Sequence, residues 1–162
     1  MDFEFMANYA TLYIEAAKLT VKIACLGILF AVSLGFFCSI IRYFKVPVLQ
    51  RLVNVYIELS RNTPLLVQLF FLYFGLPKIG IVWSAEQCAI IGLTFLGGSY
   101  MAEAFRSGLE SVSTVQLEAG LSVGLKKSQV MRYIVLPQAI AVSVPAFSAN
   151  VIFMIKETSV FS

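Results

Sequence analysis

The sequence predicts an all-α protein, a polytopic bundle of transmembrane helices, and three bulk properties point to it. Hydrophobic residues make up 59% of the 162 residues and charged residues only 13%, whereas soluble domains contain about 45–50% apolar and about 25% charged residues. The mean hydropathy is +0.86, and a water-soluble fold of this composition would expose large apolar patches. The length suits one domain, so we expect residues 1–162 to form a single transmembrane domain.

Four apolar segments are long enough to be considered as spans, since a helix needs about 20 mostly apolar residues to cross a bilayer. The four predicted spans cover approximately residues 19–41, 64–83, 85–105 and 133–155. The second is the weakest, because Pro77 and Lys78 interrupt it. Its uninterrupted part, Pro64–Leu76, also fits a re-entrant segment.

The basic residues orient these spans. If segment 64–83 crosses the membrane, eight of the twelve basic residues fall on one side, in the connections after the first and third of the four predicted spans: Arg42, Lys45, Arg51, Arg61, Arg106, Lys126, Lys127 and Arg132. The positive-inside rule then places these connections in the cytoplasm and the N-terminus outside. A re-entrant segment would put the two connections on opposite sides, so the charge pattern favours four crossings.

The residue inventory excludes several other classes of protein. There is no histidine, so the commonest metal ligand and the usual acid or base at neutral pH are missing. Cys25, Cys38 and Cys88 lie far apart without a CxxC pair, and we expect them to be small buried hydrophobic residues rather than metal ligands. The net charge is only +3 without a long basic run, so nucleic acid is not expected as a partner.

The connection formed by residues 106–132 is the most informative segment. It has about 27 residues, where connections between helices usually have about 2–8. After a polar break at Ser111–Thr114, the pattern of Val115–Gly124 predicts a short helix with Glu118 in its first turn and Gly124 as its stop. So short a helix is marginal on its own, and we expect a partner to dock on it.

This segment resembles a known signature. The residues E-A-G at 118–120, G at 124 and I-V-L-P at 134–137 are similar to the cytoplasmic "EAA" signature of bacterial ABC importer permeases, which reads E-A-A, three residues, G, nine residues, I, one residue, L-P. The spacing matches throughout, and the departure is Gly120, where the family usually has alanine. Glycine loosens a helix by about 1 kcal/mol relative to alanine, so we expect weaker docking or a different local geometry.

Three further segments narrow the resemblance to permeases for polar amino acids. Residues 61–68, R-N-T-P-L-L-V-Q, resemble the R-G-T-P-L-L-V-Q segment of that subfamily, with Asn62 in place of the usual glycine. Both residue types tolerate a left-handed backbone, so the turn is expected to survive the exchange. Ala102–Leu109 and Lys156–Ser159 are also similar to the subfamily.

The resemblance implies a permease subunit of an ATP-driven importer in the bacterial cytoplasmic (inner) membrane, forming the translocation path for a polar amino acid. Its implied partners are two ATP-binding cassette ATPase subunits, a second permease subunit, identical or related, and an extracytoplasmic amino-acid-binding protein. The chain is not expected to be an enzyme or to hold a cofactor, and it has no G-x-x-x-x-G-K loop, so ATP would be bound by partner subunits. The residues implied to couple to the ATPases are Glu118, Ala119, Gly120, Gly124, Leu136 and Pro137. The family usually has one more span after the K-x-T-S segment, so we expect this sequence to be truncated there.

Polar residues in or near the spans are candidates for the translocation path, because such groups are costly in a bilayer and are functional by default. The candidates are Gln68, Asn150, Glu157 and Ser159. Structural alternatives stay open for three of them. Gln68 and Asn150 equally suit hydrogen bonds between helices, and Glu157 equally suits an ion pair with Lys156.

Other residues are expected to have structural roles. Glu103 and Arg106 should pair on one helix face, and Arg61 should anchor a span end in the lipid headgroups. Gly98 and Ala102 form a small-xxx-small pair, and the last span contains a second set of small residues: Ala139, Ala141, Ser143, Ala146, Ser148 and Ala149. Both sets suit either packing within the chain or contact with a second membrane subunit.

The alternative function is an ATPase-independent channel or a secondary carrier subunit. Such a protein would continue to transport after every ATPase partner had been removed. The near-absence of charge in the middle of the spans argues against proton coupling, so the importer permease is the leading prediction.

Overall fold

The computed structural model describes residues 3–161, with side chains from residue 9 onward, and over that range the chain is helical without any strand. Its six helices are α1 (Phe3–Tyr43), α2 (Pro47–Asn62), α3 (Leu65–Ile79), α4 (Ala85–Glu110), α5 (Thr114–Ser122) and α6 (Lys127–Phe161). Three are long and apolar enough to cross a membrane, namely α4, α6 and the Tyr9–Tyr43 part of α1. The all-α transmembrane fold is thereby confirmed.

Helices α1 and α4 lie side by side and run in the same direction. Near the start of α4, Glu86 forms an ion pair with Lys22 of α1, with 2.7 Å between Nζ and Oε1. Near the end of α4, Glu103 pairs with Arg42, close to the end of α1. Because α4 begins beside Lys22, about halfway along α1, and runs parallel to α1 towards its end, the chain has to return between the two helices.

The contact between α1 and α4 is a seam of small residues spaced four apart on α1, namely Gly27, Ala31 and Gly35. This spacing places all three on one face of the helix. A Cβ added at Gly27 would lie 2.7 Å from Cδ2 of Leu93, and one added at Gly35 would lie 2.5 Å from Cβ of Met101. Ala31 is fully buried. The seam therefore fixes both the distance between the two helices and their register.

The return from the end of α1 to the start of α4 is shared by α2 and α3. Helix α2 packs on the second half of α4 as far as Phe95, whose carbonyl accepts hydrogen bonds from Tyr56 Oη (2.7 Å) and Ser60 Oγ (2.9 Å). Helix α3 packs on the first half of α4, where Leu69 lies against Gly92. Both helices therefore contribute to the return, with a break between them.

Helix α3 corrects the prediction of one continuous span over residues 64–83. It has 15 residues, about 22 Å at 1.5 Å per residue, and a hydrocarbon core is about 30 Å thick. It consists of an α-helical, a π-helical and a 3₁₀ part, Leu65–Phe70, Phe71–Gly75 and Leu76–Ile79. Gly80, with a φ of +87°, ends it. The rest of the distance back to the start of α4 is covered by α2. Its charged residues had led to the prediction of a connection outside the membrane for this segment.

Helix α6 runs antiparallel to α4. Ser143 Oγ donates to the Ala104 carbonyl (3.2 Å), and further along α6 Asn150 Nδ2 donates to the Tyr100 carbonyl (3.1 Å). The helices approach closely at Gly108, where a Cβ would collide with Ser143. Like α3, α6 changes its winding, with parts Lys127–Val130 (α), Met131–Val135 (π), Leu136–Glu157 (α) and Thr158–Phe161 (3₁₀).

The small residues of α4 pack within the chain. A Cβ added at Gly98 would lie 2.7 Å from Tyr56 Oη, and Ala102 is fully buried, so packing within the bundle explains this pair. In α6, Ala139 and Ser143 are buried against α4. The remaining small residues of that set are exposed: Ala141, Ala146, Ser148 and Ala149. Their contact with a second subunit stays a prediction.

The cysteines follow the expectation at two of three positions. Cys38 and Cys88 are buried, whereas Cys25 is exposed. The expectation for Cys25 was wrong because α1 contacts the bundle through one face only, and an apolar segment by itself does not show which face that is.

Candidate functional site

A cavity of about 290 Å³ lies at the junction between α2 and α3, about halfway along α4. Ligand pockets usually measure about 300–1,000 Å³, so this one suits a small ligand. Its wall is formed by residues 61–65 from the junction, Leu96 and Tyr100 from α4, and Phe153 and Glu157 from α6. The cavity thus joins two of the segments that resemble amino-acid permeases.

Two opposite charges line this cavity without neutralising each other. Arg61 and Glu157 both belong to its wall, and neither makes an ion pair within 4.0 Å in the described part of the chain. The predicted alternative of a pair between Glu157 and Lys156 is therefore not formed. The Arg61 guanidinium lies over the Tyr100 ring, 5.0 Å from its centroid, in a cation–π contact. A small zwitterion would find a partner here for each of its charges.

Gln68 lies beside the cavity and closes the junction. Its Nε2 donates to the Ser60 carbonyl (3.1 Å) and to the Thr63 carbonyl (2.9 Å). The side chain is buried, and Oε1 has no hydrogen-bond partner among the residues that the structure describes. Gln68 is not part of the cavity wall. It makes a hydrogen bond between helices, which was the structural alternative for this residue.

Asn150 and Ser159, the other predicted path residues, also lie outside the cavity wall. Asn150 donates to the Tyr100 carbonyl, which is the hydrogen bond between helices that its structural alternative required. Ser159 is exposed in the last turn of α6. Of the four predicted path residues, Glu157 is the one that lines the cavity.

Arg61 is a cavity residue that the sequence did not indicate as a path residue. Its side chain is exposed and lies beside Tyr100, about halfway along α4, and its anchoring in the lipid headgroups stays a prediction. The signal that could have placed it was the Thr63-Pro64 dipeptide, since a residue before proline disfavours the helical conformation. That dipeptide predicts the end of a helix next to Arg61, within the return segment. The charge pattern alone does not indicate this helix end.

The second candidate region is the connection between α4 and α6, with the short helix α5 at its centre. Ser113 caps α5, since its Oγ accepts from the Val115 N–H (3.3 Å). The helix closes at Gly124, which has a φ of +87°, and the Leu125 N–H donates to the Gly120 carbonyl (3.2 Å). The predicted short helix and its glycine stop are confirmed.

The position of Glu118 in α5 differs from the prediction. Because the helix begins at Thr114, Glu118 falls in its second turn rather than its first. The side chains of Glu118 and Ala119 are exposed, whereas Gly120 is buried. The first two signature residues therefore lie on the surface of the helix, and the third faces inward.

Gly120 allows α5 to lie directly on the start of α6. A Cβ at this position would be 2.8 Å from Cδ1 of Ile134 and 3.0 Å from Cγ2 of Val130. Gln138 Nε2 also donates to Gln116 Oε1 across the two helices. The departure from the E-A-A pattern thus has a local reason, the close approach of α5 to α6, and Leu136 and Pro137 lie just beyond this contact.

An ion-pair network holds the ends of α1 and α4 together near this region. Glu103 accepts from Arg42 and from Arg106 Nη2 (2.8 Å), and Arg106 also bonds Glu110. The predicted pair between Glu103 and Arg106 is confirmed. Arg42 was missed because it is 61 positions away in sequence, and spacing along one helix does not reveal such a partner.

Comparison with known proteins gives consistent matches over nearly the whole chain. Residues 27–162 match the family described as "Binding-protein-dependent transport system inner membrane component". The probable amino-acid ABC transporter permease protein PatM of Vibrio harveyi is 42% identical over 163 residues, covering 98% of this chain and 72% of PatM. The L-cystine transport system permease protein TcyL of Bacillus subtilis is 34% identical, covering 98% of this chain and 69% of TcyL.

Solved structures agree with these matches. A chain in the crystal structure of an amino acid ABC transporter with histidines superposes with a TM-score of 0.90 at 33% identity, covering 99% of this chain and 75% of the other. A chain of the MetNI methionine ABC transporter in an inward-facing conformation gives a TM-score of 0.76 at 21% identity, covering 99% of this chain and 76% of the other. The latter match concerns the fold alone.

Proposed function

We propose, from the premise that this chain belongs to the family of inner-membrane components of binding-protein-dependent transport systems, that it moves a polar amino acid through the cavity at the α2–α3 junction. Family membership makes the chain a membrane-spanning permease subunit of an ATP-driven importer, not itself catalytic. The observation that carries the proposal is the presence of Arg61 and Glu157 in one cavity wall.

The chemistry of this cavity matches a free amino acid. The planar guanidinium of Arg61 can donate two parallel hydrogen bonds to a carboxylate, and the carboxylate of Glu157 can accept from an ammonium group. Stacking on Tyr100 holds the guanidinium in place. Neither charge has an ion-pair partner in the described part of the chain, so a zwitterion that pairs with both is favoured over a neutral solute. The relatives named as amino-acid permeases support the same substrate class.

The predicted path residues take different parts in this proposal. Glu157 contacts the substrate, and Asn150 holds the segment of α4 that carries Tyr100. Ser159 stays a prediction as a path residue further along α6. Gln68 lies behind the cavity wall and does not contact the substrate.

The partners follow from the exposed signature on α5. We infer that two ATPase subunits dock on Glu118 and Ala119 from the cytoplasm and that they bind the ATP. Because α5 is fastened to α6 through Gly120 and Gln116, a movement of α5 would be passed on to α6 as a rigid-body displacement. A second permease subunit and an extracytoplasmic amino-acid-binding protein complete the proposed importer.

The orientation follows from the parallel arrangement of α1 and α4. Their ends lie on one side of the bundle, together with α5 and the start of α6. The basic residues cluster on that side, for example Lys45, Lys126 and Lys127. By the positive-inside rule this side is cytoplasmic and the N-terminus is outside.

The proposal is tested by substrate binding to the complex of permease and ATPase subunits in lipid nanodiscs, without the amino-acid-binding protein, measured by titration calorimetry with a panel of polar amino acids. Arg61→Ala and Glu157→Gln should each weaken binding at least about tenfold, since a hydrogen bond to a charged group contributes about 1.5–3 kcal/mol and 1.4 kcal/mol is a factor of about ten. Arg51→Ala is the matched control, because Arg51 is an exposed arginine of the same helix outside the cavity. Wild-type affinity in both cavity variants would place the substrate elsewhere.

A further inference from the structure

At the junction between α2 and α3, backbone carbonyl groups lack hydrogen-bond partners within their own helix. The last carbonyls of a helix have no partner within that helix, and Ser60, in the last turn of α2, is fully buried, so water cannot replace the missing partner of its carbonyl. Ser60 Oγ and Tyr56 Oη donate to Phe95 and so fasten the last turn of α2 to α4. They do nothing for the carbonyls of Ser60 and Thr63 at the junction itself.

Gln68 supplies the missing donors. Its Nε2 carries two hydrogens, and the two carbonyls that it meets, Ser60 O and Thr63 O, are both acceptors. The orientation of the carboxamide is therefore fixed, because Oε1 could serve neither of them. The cost is that Oε1 is left buried without a hydrogen-bond partner among the described residues. Because a buried oxygen without a partner is unfavourable, its presence calls for an explanation. We attribute it to a requirement for a fixed backbone position at the junction.

We propose that Gln68 is a positioning residue of the substrate cavity, and that it acts through Arg61 by clamping the carbonyls on either side of it. Arg61 lies between Ser60 and Thr63, so the clamp sets the direction in which the guanidinium leaves the backbone. That direction brings it over the Tyr100 ring, on the cavity wall. Gln68 itself does not touch the substrate, since it lies outside the wall and both amide hydrogens are used. This role rests on the proposed function of the cavity.

The first test is a comparison of Gln68→Leu, which keeps the volume of the side chain, with the wild-type importer reconstituted in proteoliposomes. Loss of the clamp should raise the KM for uptake about tenfold, equivalent to one well-placed hydrogen bond, and should leave kcat and ATPase assembly nearly unchanged. Gln87→Leu is the matched control, because Gln87 caps the start of α4 at the surface. A fall in kcat at unchanged KM would overturn the proposal.

The second test asks whether Gln68 acts through Arg61. In an Arg61→Ala background, Gln68→Leu should raise KM no further, because the group that it positions is gone. Additive effects of the two substitutions would overturn the proposal, since they would mean that Gln68 acts on the substrate independently. This double-mutant cycle is the readout that a merely structural role would not produce.

Failure of this proposal is distinguishable from failure of the proposed function. If Arg61→Ala raises KM and Gln68→Leu does not, the cavity stands and the positioning role falls. If neither variant changes KM, both fall. Should Gln68→Leu not assemble, Gln68→Asn carries the test, because it keeps the amide on a side chain that is one methylene shorter. Loss of assembly in both variants would assign Gln68 to folding alone and overturn the proposal.

Discussion

Two limbs of this molecule, α2–α3 and α5–α6, contain the same local device with different outcomes. In each limb a π-helical segment ends at a Leu-Pro dipeptide, and the leucine N–H donates to the carbonyl five residues back, Leu76 to Phe71 and Leu136 to Met131. The following proline lacks an N–H and would crowd the carbonyl four residues back. The wider π turn accommodates it in both places.

The two limbs differ in the course of the helix beyond the proline. After Pro77 the helix ends within a few residues, at Gly80 with a φ of +87°. After Pro137 the helix continues to Phe161, and no glycine occurs in that stretch. The winding thus changes before each Leu-Pro dipeptide, whereas Pro145 lies within the α-helical part Leu136–Glu157, and it is Gly80 that ends α3.

The limbs also differ in how they pack on α4. At Gly108, α6 brings its backbone close, and a Cβ there would lie 2.5 Å from the Ala139 carbonyl oxygen. At Gly92, α3 brings only a side-chain tip, and a Cβ there would lie 2.8 Å from Cδ2 of Leu69. A leucine tip can move aside and a backbone carbonyl cannot, so α6 is docked rigidly and α3 adjustably.

The largest expected effect comes from placing the same alanine at both contacts. Gly108→Ala should destabilise the permease by about 3 kcal/mol, at the upper end of ordinary overpacking costs, and Gly92→Ala by less than about 1 kcal/mol. Thermal unfolding of the purified complex measures both. Equal costs at the two positions would contradict the distinction between rigid and adjustable docking.

A smaller effect is expected at the two glycines that end the helices. Gly80 and Gly124 have the same φ of +87°, and a Cβ at either position would meet nothing within 4 Å. Alanine should therefore cost about 1 kcal/mol at each, from backbone strain alone. ATP-driven uptake should fall further in Gly124→Ala than in Gly80→Ala, because α5 carries the proposed ATPase contact. Equal uptake in both variants at equal expression would contradict a role of α5 in coupling ATP hydrolysis to transport.

The smallest effect is expected at the second glutamine that joins two helices. Gln138 donates to Gln116 and to the Ile134 carbonyl, both at exposed sites. Gln138→Leu should therefore change the free energy of unfolding by less than about 1 kcal/mol, since exposed groups bond water instead. Gln68→Leu, at a buried junction, is the comparison. If a denaturant titration showed a larger loss of unfolding free energy for Gln138→Leu than for Gln68→Leu, the expected order of the two glutamines would be wrong.

Local patterns in the sequence predicted much of the fold. Apolar length identified the three long helices, and Gly124 marked the end of α5, because both signals arise from neighbouring residues. The sequence did not reveal that α2 shares the return with α3, because α2 carries charged residues such as Arg51 and Glu58. The chain returns from the end of α1 to the start of α4 through two helices, α2 and α3. Each covers part of the distance that a single spanning helix would cover.

The candidate site was less predictable for a related reason. Glu157 was found as an isolated polar residue, but its approach to Arg61 depends on α6 lying antiparallel to α4 and on the break before Pro64. The network of Arg42 with Glu103 and the packing of Gly120 on Val130 likewise join residues that are distant in sequence or separated by a turn. Periodicity within one helix contains no information about such neighbours.

The seam between α1 and α4 constrains how this permease can move during transport. With Gly27, Ala31 and Gly35 each fitted against α4, the two helices cannot slide along each other without backbone and side-chain collisions. Packed interiors transmit such constraints instead of deforming continuously. The pair therefore forms one rigid body, and α6, docked on α4 at Gly108, belongs to it. A displacement of α5 would move this body as a whole, and the freedom of movement within the subunit lies in α3, whose contact with α4 at Gly92 is adjustable.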